Sequence, residues 1–293
     1  MFQGSSALIR TLAGSLFTIS LISCGAGTHG QVGLNAFMNK SHAPDKLELT
    51  ALRDFPLVRA GDKLPELIGN SLRANDLRPL DHDVLVVAQK IVSKAEGRSV
   101  LLSDVAPSEE ARRRAKQTGK DPRLVELILR ESTEVLRQGD KLIITENRLG
   151  LVMANAGIDQ SNVDAGCALL LPQDPDKSAS NIRAYIKEEF DANAGVIVAD
   201  SIGRAWRNGV TGHAIGVAGI KALLDLRRTP DLNNEELRVT DAAIGDEIAA
   251  AASLLMGQAA EGKPLVLVRG FKDIQGASSA KSLLRPKEQD LFR

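Results

Sequence analysis

The sequence of 293 residues predicts an α/β fold, with α+β as the closely related alternative. Short apolar runs alternate with helical patterns from Leu47 onward, as they do in layered α/β domains. Hydrophobic residues make up 43% of the chain and charged residues 25%, which excludes disordered, collagen-like and multi-span membrane proteins. Lys plus Arg equals Asp plus Glu, at 37 each, so no net charge attracts nucleic acid or an acidic membrane.

Residues 1–45 are predicted to form a disordered N-terminal extension before one domain over residues 46–293. The extension holds an apolar stretch shorter than the roughly 20 residues of a membrane span, followed by a lipoprotein-like LISC at residues 21–24. A lipoprotein signal would export the protein and tie it to a membrane. The alternative is a translation start at Met38 and a cytoplasmic protein.

The cysteine content favours the cytoplasmic alternative. Cys24 and Cys167 are the two cysteines, which is too few for a disulfide framework or a Cys-rich metal site, although one bridge can form. We therefore expect a reducing compartment.

A continuous apolar run at residues 84–88 predicts a buried strand, and further strands are predicted at residues 141–145, 195–199 and 264–268. Glu146 and Asn147 are predicted to form the turn of a hairpin that joins the second of these strands to residues 148–154.

Helices are predicted from capping residues and apolar periodicity. Asp121 and Pro122 begin one helix, whose apolar stripe runs from Leu124 to Leu136. Ser178 is predicted to cap a second helix over residues 179–190.

Thr240 or Asp241 is predicted to cap an Ala-rich helix that runs to Met256 and stops at Gly257. Three adjacent arginines within residues 109–116 suggest either phosphate binding or a solvated helix of mixed charge, and we favour the solvated helix.

Familiar catalytic motifs are missing from the sequence: it has no G-x-x-x-x-G-K-[ST] loop, no H-E-x-x-H, no paired C-x-x-C and no G-x-S-x-G. His29, His42, His82 and His213 are far apart in sequence, so a histidine-based metal site is not expected. Any metal ion should have oxygen ligands.

Two aspartates supply such ligands. Asp159 begins a polar cluster over residues 159–162, and Asp200 with Ser201 follows a predicted buried strand, where open α/β sheets expose their binding groups. Two carboxylates and a hydroxyl suit magnesium or manganese. Taken singly, each Asp is more often a helix cap or a turn residue.

Two basic segments follow predicted strands. Arg204, Trp206 and Arg207 would grip phosphates or carboxylates and stack on a ring system, or Trp206 would lie in the core with both arginines in surface ion pairs. Lys90 and Lys94 are four residues apart, so they share one side of a helical turn and either meet a phosphate chain or remain solvated.

Four separated motifs also occur in one order: AQKIVSKAEGR at residues 88–98, TENRLGLV at 145–152, AGIDQSNV at 156–163 and DSIGRAWRNG at 200–209. Together they resemble the coenzyme F420-0:L-glutamate ligase family, and the resemblance covers residues 47–292. It implies a two-subdomain gamma-glutamyl ligase fold in an intertwined homodimer, a form that can build its site across the interface.

The implied activity is GTP-dependent. The resemblance implies a gamma-glutamyl ligase that adds L-glutamate to coenzyme F420-0, and also to F420-1, through an acyl phosphate, with release of GDP and phosphate. Magnesium or manganese would assist, with potassium as a further candidate cation. The alternatives are a gamma-glutamyl ligase with another carboxylate acceptor, such as a folate or an F420 variant, and an exported lipoprotein that binds a phosphorylated ligand.

The resemblance also implies site residues. Positions matching the family's metal ligands are Asp159, Asp200, Ser201 and Gln258. Positions matching its GTP contacts are Phe55, Pro56, Leu57, Val58, Gln89, Lys90, Lys94, Asn162, Met256, Gly257, Gln258, Ala259, Ala260, Glu261, Gly262 and Lys263. Substrate contacts by Arg204, Trp206 and Arg207 are instead our hypothesis from their chemistry and their place in a motif.

Overall fold

The computed structural model describes residues 44–272, 274–277 and 279–292. The signal-like segment at residues 21–24 and the alternative start at Met38 lie outside the described residues. The helices of the described part are α1 (Leu64–Ala74), α2 (Gln89–Ala95), α3 (Glu109–Thr118), α4 (Pro122–Arg130), α5 (Pro175–Phe190) and α6 (Ile244–Met256).

The strands of the same residues form one large sheet and three small ones. They are β1 (Glu48–Ala51), β2 (Val84–Ala88), β3 (Ser99–Leu101), β4 (Ser132–Gly139), β5 (Leu142–Asn147), β6 (Val152–Ala154), β7 (Cys167–Leu169), β8 (Gly195–Arg204), β9 (Arg207–Ala218), β10 (Leu224–Asp225), β11 (Asp241–Ala242) and β12 (Leu265–Arg269).

The large sheet has the strand order β1-β12-β2-β8-β9. Strands β2 and β8 are parallel, and the other neighbours are antiparallel. This mixed sheet with helices confirms the predicted α/β or α+β class, and β2, β5, β8 and β12 confirm the four predicted buried strands. The two-subdomain arrangement and the homodimer stay predictions.

Both faces of the large sheet are covered by helices, because alternate residues of its central strands point to opposite sides. Leu85 and Val87 share one buried cluster with residues of α1, α2 and α5. Val84 and Val86 share another with residues of α6. A third cluster, which includes Ile128 and Ile143, joins α3 and α4 to β5 and β7.

The helix that begins at Pro122 is shorter than its apolar stripe predicted. Asp121 caps it as expected, accepting from the Arg123 N–H at 2.8 Å. The helix ends at Arg130, where the Ser132 hydroxyl donates to the Ile128 carbonyl at 2.6 Å. The rest of the stripe lies in β4, whose backbone is paired with β5. The apolar stripe therefore spans two elements, with its first part in α4 and its last part in β4.

Two predicted caps are wrong. Helix α5 begins earlier than predicted, because the Asp174 side chain accepts from the Lys177 N–H at 2.9 Å and Pro175 opens the first turn. Ser178 lies inside that helix and donates to Glu96. Helix α6 begins at Ile244 without a side-chain cap, since Asp241 belongs to β11. The predicted stop at Gly257 is confirmed.

The predicted hairpin exists, but its turn lies further along. Glu146 pairs with Val152 inside the sheet. The Asn147 side-chain oxygen accepts from the backbone N–H groups of Leu149 and Leu151, both at 3.0 Å. The turn therefore consists of residues 148–150, and Glu146 and Asn147 complete β5.

The arginine-rich helix is solvated as predicted: Arg113 and Arg114 both pair with the exposed Glu110 on α3, at 2.6 and 2.7 Å. Among the described residues, no helix combines the length and apolar character needed to cross a membrane.

Candidate functional site

A cavity of about 490 Å³ lies where α2, the middle of β8 and the loop after α6 meet. Most of the residues that the family resemblance singled out line it, although they come from distant parts of the chain. Those residues are Phe55, Pro56, Leu57, Val58, Gln89, Lys90, Lys94, Asn162, Asp200, Ser201, Met256, Gly257, Gln258, Ala259, Ala260, Gly262 and Lys263.

Helix α2 carries two lysines on its cavity side. The Lys90 Nζ lies 2.6 Å from Asp159 Oδ2 and donates to the Ser161 hydroxyl at 2.7 Å. The Lys94 Nζ donates to the Asn162 carbonyl at 2.7 Å. Both lysines therefore tie α2 to the loop of residues 159–162, and the predicted placement on one side of a helical turn is confirmed.

Asp159 does not line the cavity itself but reaches it through Lys90. Its Oδ1 accepts from the Ser161 N–H at 2.7 Å, a short-range turn that fixes the carboxylate. Burial opposes its ionisation, but the hydrogen bonds and charge of Lys90, together with Ser161, lower the pKa of Asp159 below its usual range. The carboxylate is therefore charged and is neutralised by a lysine.

Asp200 has the opposite electrostatic environment. It lies inside β8, paired with His213 of β9, and not after the end of a strand as the sequence predicted. Burial raises the pKa of Asp200 to about 7, and the nearby charge of Asp159 adds to that increase. The Ser201 N–H and the Gln89 side chain favour the charged form but do not offset burial. A bound cation would compensate this charge.

The Gln89 side chain supports Asp200. Gln89 is only 3% exposed, and its Oε1 accepts from the Ser93 hydroxyl at 2.9 Å. The amide nitrogen is therefore the group left to favour the charged form of the Asp200 carboxylate. Ser93 is fully buried and was missed by the sequence reasoning, since nothing in a single sequence connects it to Asp200.

The loop after α6 closes another side of the cavity. The Ser201 hydroxyl donates to Gln258 Oε1 at 2.8 Å, which links β8 to this loop. The Asn162 side chain donates to the Ala259 carbonyl at 3.2 Å. Glu261 does not line the cavity, because its carboxylate turns back to accept from the Ala259 N–H at 2.8 Å.

The donor set fits a hard divalent cation. Asp159 and Asp200 offer carboxylate oxygens, Ser201 a hydroxyl and Gln258 an amide oxygen, all of which magnesium and manganese accept. No cluster of three or more His, Cys, Asp or Glu side chains suited to a metal occurs in the described part of the chain. A cation here would therefore keep water or phosphate oxygens as its other ligands. Desolvation disfavours the charge of Asp200, and the Ser201 N–H and the charge of Lys90 offset this only in part, which favours a cation at this position.

Several cavity residues were missed by the sequence reasoning: Ala88, Ile91, Ala199, Gly212, Ser253 and Pro264. Ala88, Ala199 and Pro264 lie at the ends of predicted strands, which was the available signal. Gly212 faces Ser201 across the β8–β9 pair, and a Cβ at this position would overlap the Ala249 carbonyl of α6. Glycine here allows α6 to pack closely against the sheet.

Arg204, Trp206 and Arg207 lie at the tip of the β8–β9 hairpin and do not line the cavity. Trp206 is 79% exposed with φ 57°, and its ring centroid lies 4.7 Å from that of Phe292. The alternative that placed Trp206 in the core is therefore wrong. Among the described residues, neither arginine forms an ion pair. A substrate-contacting role for the three side chains stays a prediction.

Comparison with known proteins places these features in context. A family described as F420-0:Gamma-glutamyl ligase matches residues 53–270. A protein of Methanothermobacter thermautotrophicus named coenzyme F420:L-glutamate ligase is 46% identical over 84% of this chain and 99% of its own length. Proteins with the same name from Methanopyrus kandleri and Methanocaldococcus jannaschii are 45% and 42% identical, over 80% and 85% of this chain and 93% and 97% of their own lengths.

Proposed function

The chain belongs to the F420-0:gamma-glutamyl ligase family, and from this we propose that it joins L-glutamate to coenzyme F420-0 in a GTP-dependent reaction. The proposal also includes F420-1 as an acceptor. The single observation that carries it is the cavity in which Lys90 and Lys94 of α2 meet Asp200 of β8, with Asp159 paired to Lys90 at its edge. Phosphoryl transfer requires cationic side chains that bind the phosphates and carboxylates that bind a metal ion.

The proposed reaction has two steps. The acceptor carboxylate first takes the γ-phosphoryl group of GTP, which forms an acyl phosphate and releases GDP. The amine of L-glutamate then attacks the acyl carbon, loses a proton and expels phosphate. Activation is needed because a free carboxylate at neutral pH is a poor electrophile.

Each part of the site has a role in this proposal. Lys94, together with Lys90 once Lys90 leaves Asp159, binds nucleotide phosphates as a point charge. Asp159, Asp200, Ser201 and Gln258 would hold magnesium or manganese, which neutralises phosphate charge during transfer; potassium is a further candidate cation. Gln89 and Ser93 orient Asp200. The loop 256–263, tied to Asn162 and Ser201, encloses the nucleotide.

A homodimer and a cytoplasmic location belong to the same proposal. The exposed hydrophobic residues Trp206 and Val210 on β8–β9, with Phe292 beside them, support a protein contact at that hairpin. Sedimentation equilibrium of the purified chain tests whether it is a homodimer, and fractionation of the source cells tests the cytoplasmic location.

The test is a coupled assay with the full chain, GTP, manganese or magnesium, L-glutamate and F420-0, followed by product mass. We expect glutamyl additions together with stoichiometric GDP release. If another carboxylate acceptor, such as a folate, is glutamylated and F420-0 is not, the proposed acceptor is wrong but the proposed nucleotide and metal site still stands. GTP hydrolysis without any amide product would contradict a ligase.

A further inference from the structure

A second cavity, of about 280 Å³, lies between the end of α2, the end of α4 and the turn after β5. Its charged lining consists of Arg98, Arg148 and Glu131. Leu149 and Leu171 contribute apolar side chains to the same cavity. This combination of two cations, one anion and an apolar wall differs from the nucleotide cavity and has no role in the function proposed above.

The charged groups of this cavity keep unused hydrogen-bonding capacity. Arg98 donates through Nε to the Leu171 carbonyl and through Nη2 to Glu131 Oε2, both at 2.9 Å. Arg148 donates through Nε to the Arg130 carbonyl at 2.6 Å. A guanidinium has five N–H groups, so both arginines retain donors. Within the described residues, the second carboxylate oxygen of Glu131 has no partner.

We propose that this cavity binds L-glutamate, the amine donor of the reaction, and the proposal rests on the proposed ligase function. L-glutamate has two carboxylates and one ammonium. The arginines match the carboxylates through charge-assisted, fork-like hydrogen bonds, and the free oxygen of Glu131 matches the ammonium. The apolar wall covers the methylene groups between them. The cavity volume is ample for an amino acid of this size.

The position of the cavity connects it to the nucleotide site. Ala156 lines the cavity and precedes Asp159 by three residues, so the two Cα atoms are at most about 10 Å apart. Asp159 exchanges backbone hydrogen bonds with Leu169, two residues before Leu171. Arg98 follows Lys94 by four residues in the sequence. The amine donor would therefore be held beside the segment that carries a metal ligand.

The test measures binding and turnover separately. Arg148→Gln and Glu131→Gln remove one charge each, and Arg130→Gln is the matched control because Arg130 pairs with Glu126 and does not line the cavity. Isothermal titration calorimetry with L-glutamate should show at least tenfold weaker binding to the first two variants and unchanged binding to the control. The KM for L-glutamate should rise in parallel, while the KM for GTP stays within twofold.

Glutarate, which lacks the ammonium, separates recognition from general disruption. Glu131→Gln should weaken L-glutamate binding and leave glutarate binding unchanged, whereas Arg148→Gln should weaken both. Equal loss of both ligands in Glu131→Gln, or unchanged L-glutamate affinity in both variants, would overturn the proposal. Thermal melting checks folding, and Arg148→Lys, which keeps the charge but loses the fork, provides a milder variant. L-glutamate binding by a wild-type chain without ligase activity would support the cavity and reject the proposed function.

Discussion

Replacing Asp200 by Asn should stabilise the metal-free protein at neutral pH. In the folded chain the pKa of Asp200 is raised to about 7, from the ordinary value of 3.8. The unfolded state therefore releases the proton at lower pH than the folded state does. The free energy of unfolding then falls as the pH rises from about 4 to about 7, and this loss is complete above about 7.

The size of the effect follows from the two pKa values. A tenfold change in proton affinity corresponds to about 1.4 kcal/mol, so the ionised carboxyl costs the folded state about 4 kcal/mol above pH 7. At pH 5 the cost is under about 2 kcal/mol, because the folded-state carboxyl remains protonated. Asparagine carries no charge at either pH. The stability difference between Asp200→Asn and wild type should therefore grow by about 2–3 kcal/mol from pH 5 to pH 8.

Urea unfolding at pH 5 and pH 8 with EDTA present measures this difference. Asp159→Asn is the control, because the pKa of Asp159 is lowered and its carboxylate pairs with Lys90. That variant should be less stable than wild type by nearly the same amount at pH 5 and pH 8, because the Asp159 carboxyl is ionised at both pH values in the folded and the unfolded chain. A difference between Asp200→Asn and wild type that is equal at both pH values would refute the reasoning. Manganese should stabilise wild type and not Asp200→Asn.

Three further variants test other parts of the site. Lys94→Ala should weaken GTP binding roughly tenfold or more, measured by calorimetry, with acceptor binding and the exposed control Lys116→Ala unchanged. Trp206→Leu should change the free energy of unfolding by less than about 0.5 kcal/mol and raise the KM for the acceptor; a large stability loss with unchanged kinetics would contradict this. Gly212→Ala should lower the free energy of unfolding by about 1–3 kcal/mol and weaken GTP binding. Gly203→Ala should do neither, because a Cβ at Gly203 meets open space. Equal effects of the two variants would reject the packing argument.

The elements that the sequence predicted well are those with a strong local signal. The apolar run of residues 84–88 is long enough to indicate a buried strand, and Asp121 with Pro122 is a local helix start. The end of β8 was misplaced because the apolar run stops at Ala199, and of the last five residues only Ile202 is apolar and buried. Their strand conformation comes from pairing with β9, which local patterning does not encode.

The candidate site divides in the same way. The lysines of α2 could be placed from their spacing, and most of the cavity residues could be placed from family motifs. The support of Asp200 by Gln89 and Ser93, and the pairing of Arg98 with Glu131, join segments that are distant in sequence. Such contacts depend on how the elements pack, so a single sequence does not predict them.

The strand order also bears on how the protein is made. β12 lies between β1 and β2 in the sheet although it follows both of them in sequence. β1 therefore cannot pair with its neighbour in the sheet until β12 has been synthesised and has left the ribosome. Until then, the β12-facing edge of β2, with its run of valines, lacks its partner strand. Contacts of such high sequence separation slow folding and leave strand edges open to other chains. Nascent chains that stop before β12 should therefore depend on chaperones more than chains that include it.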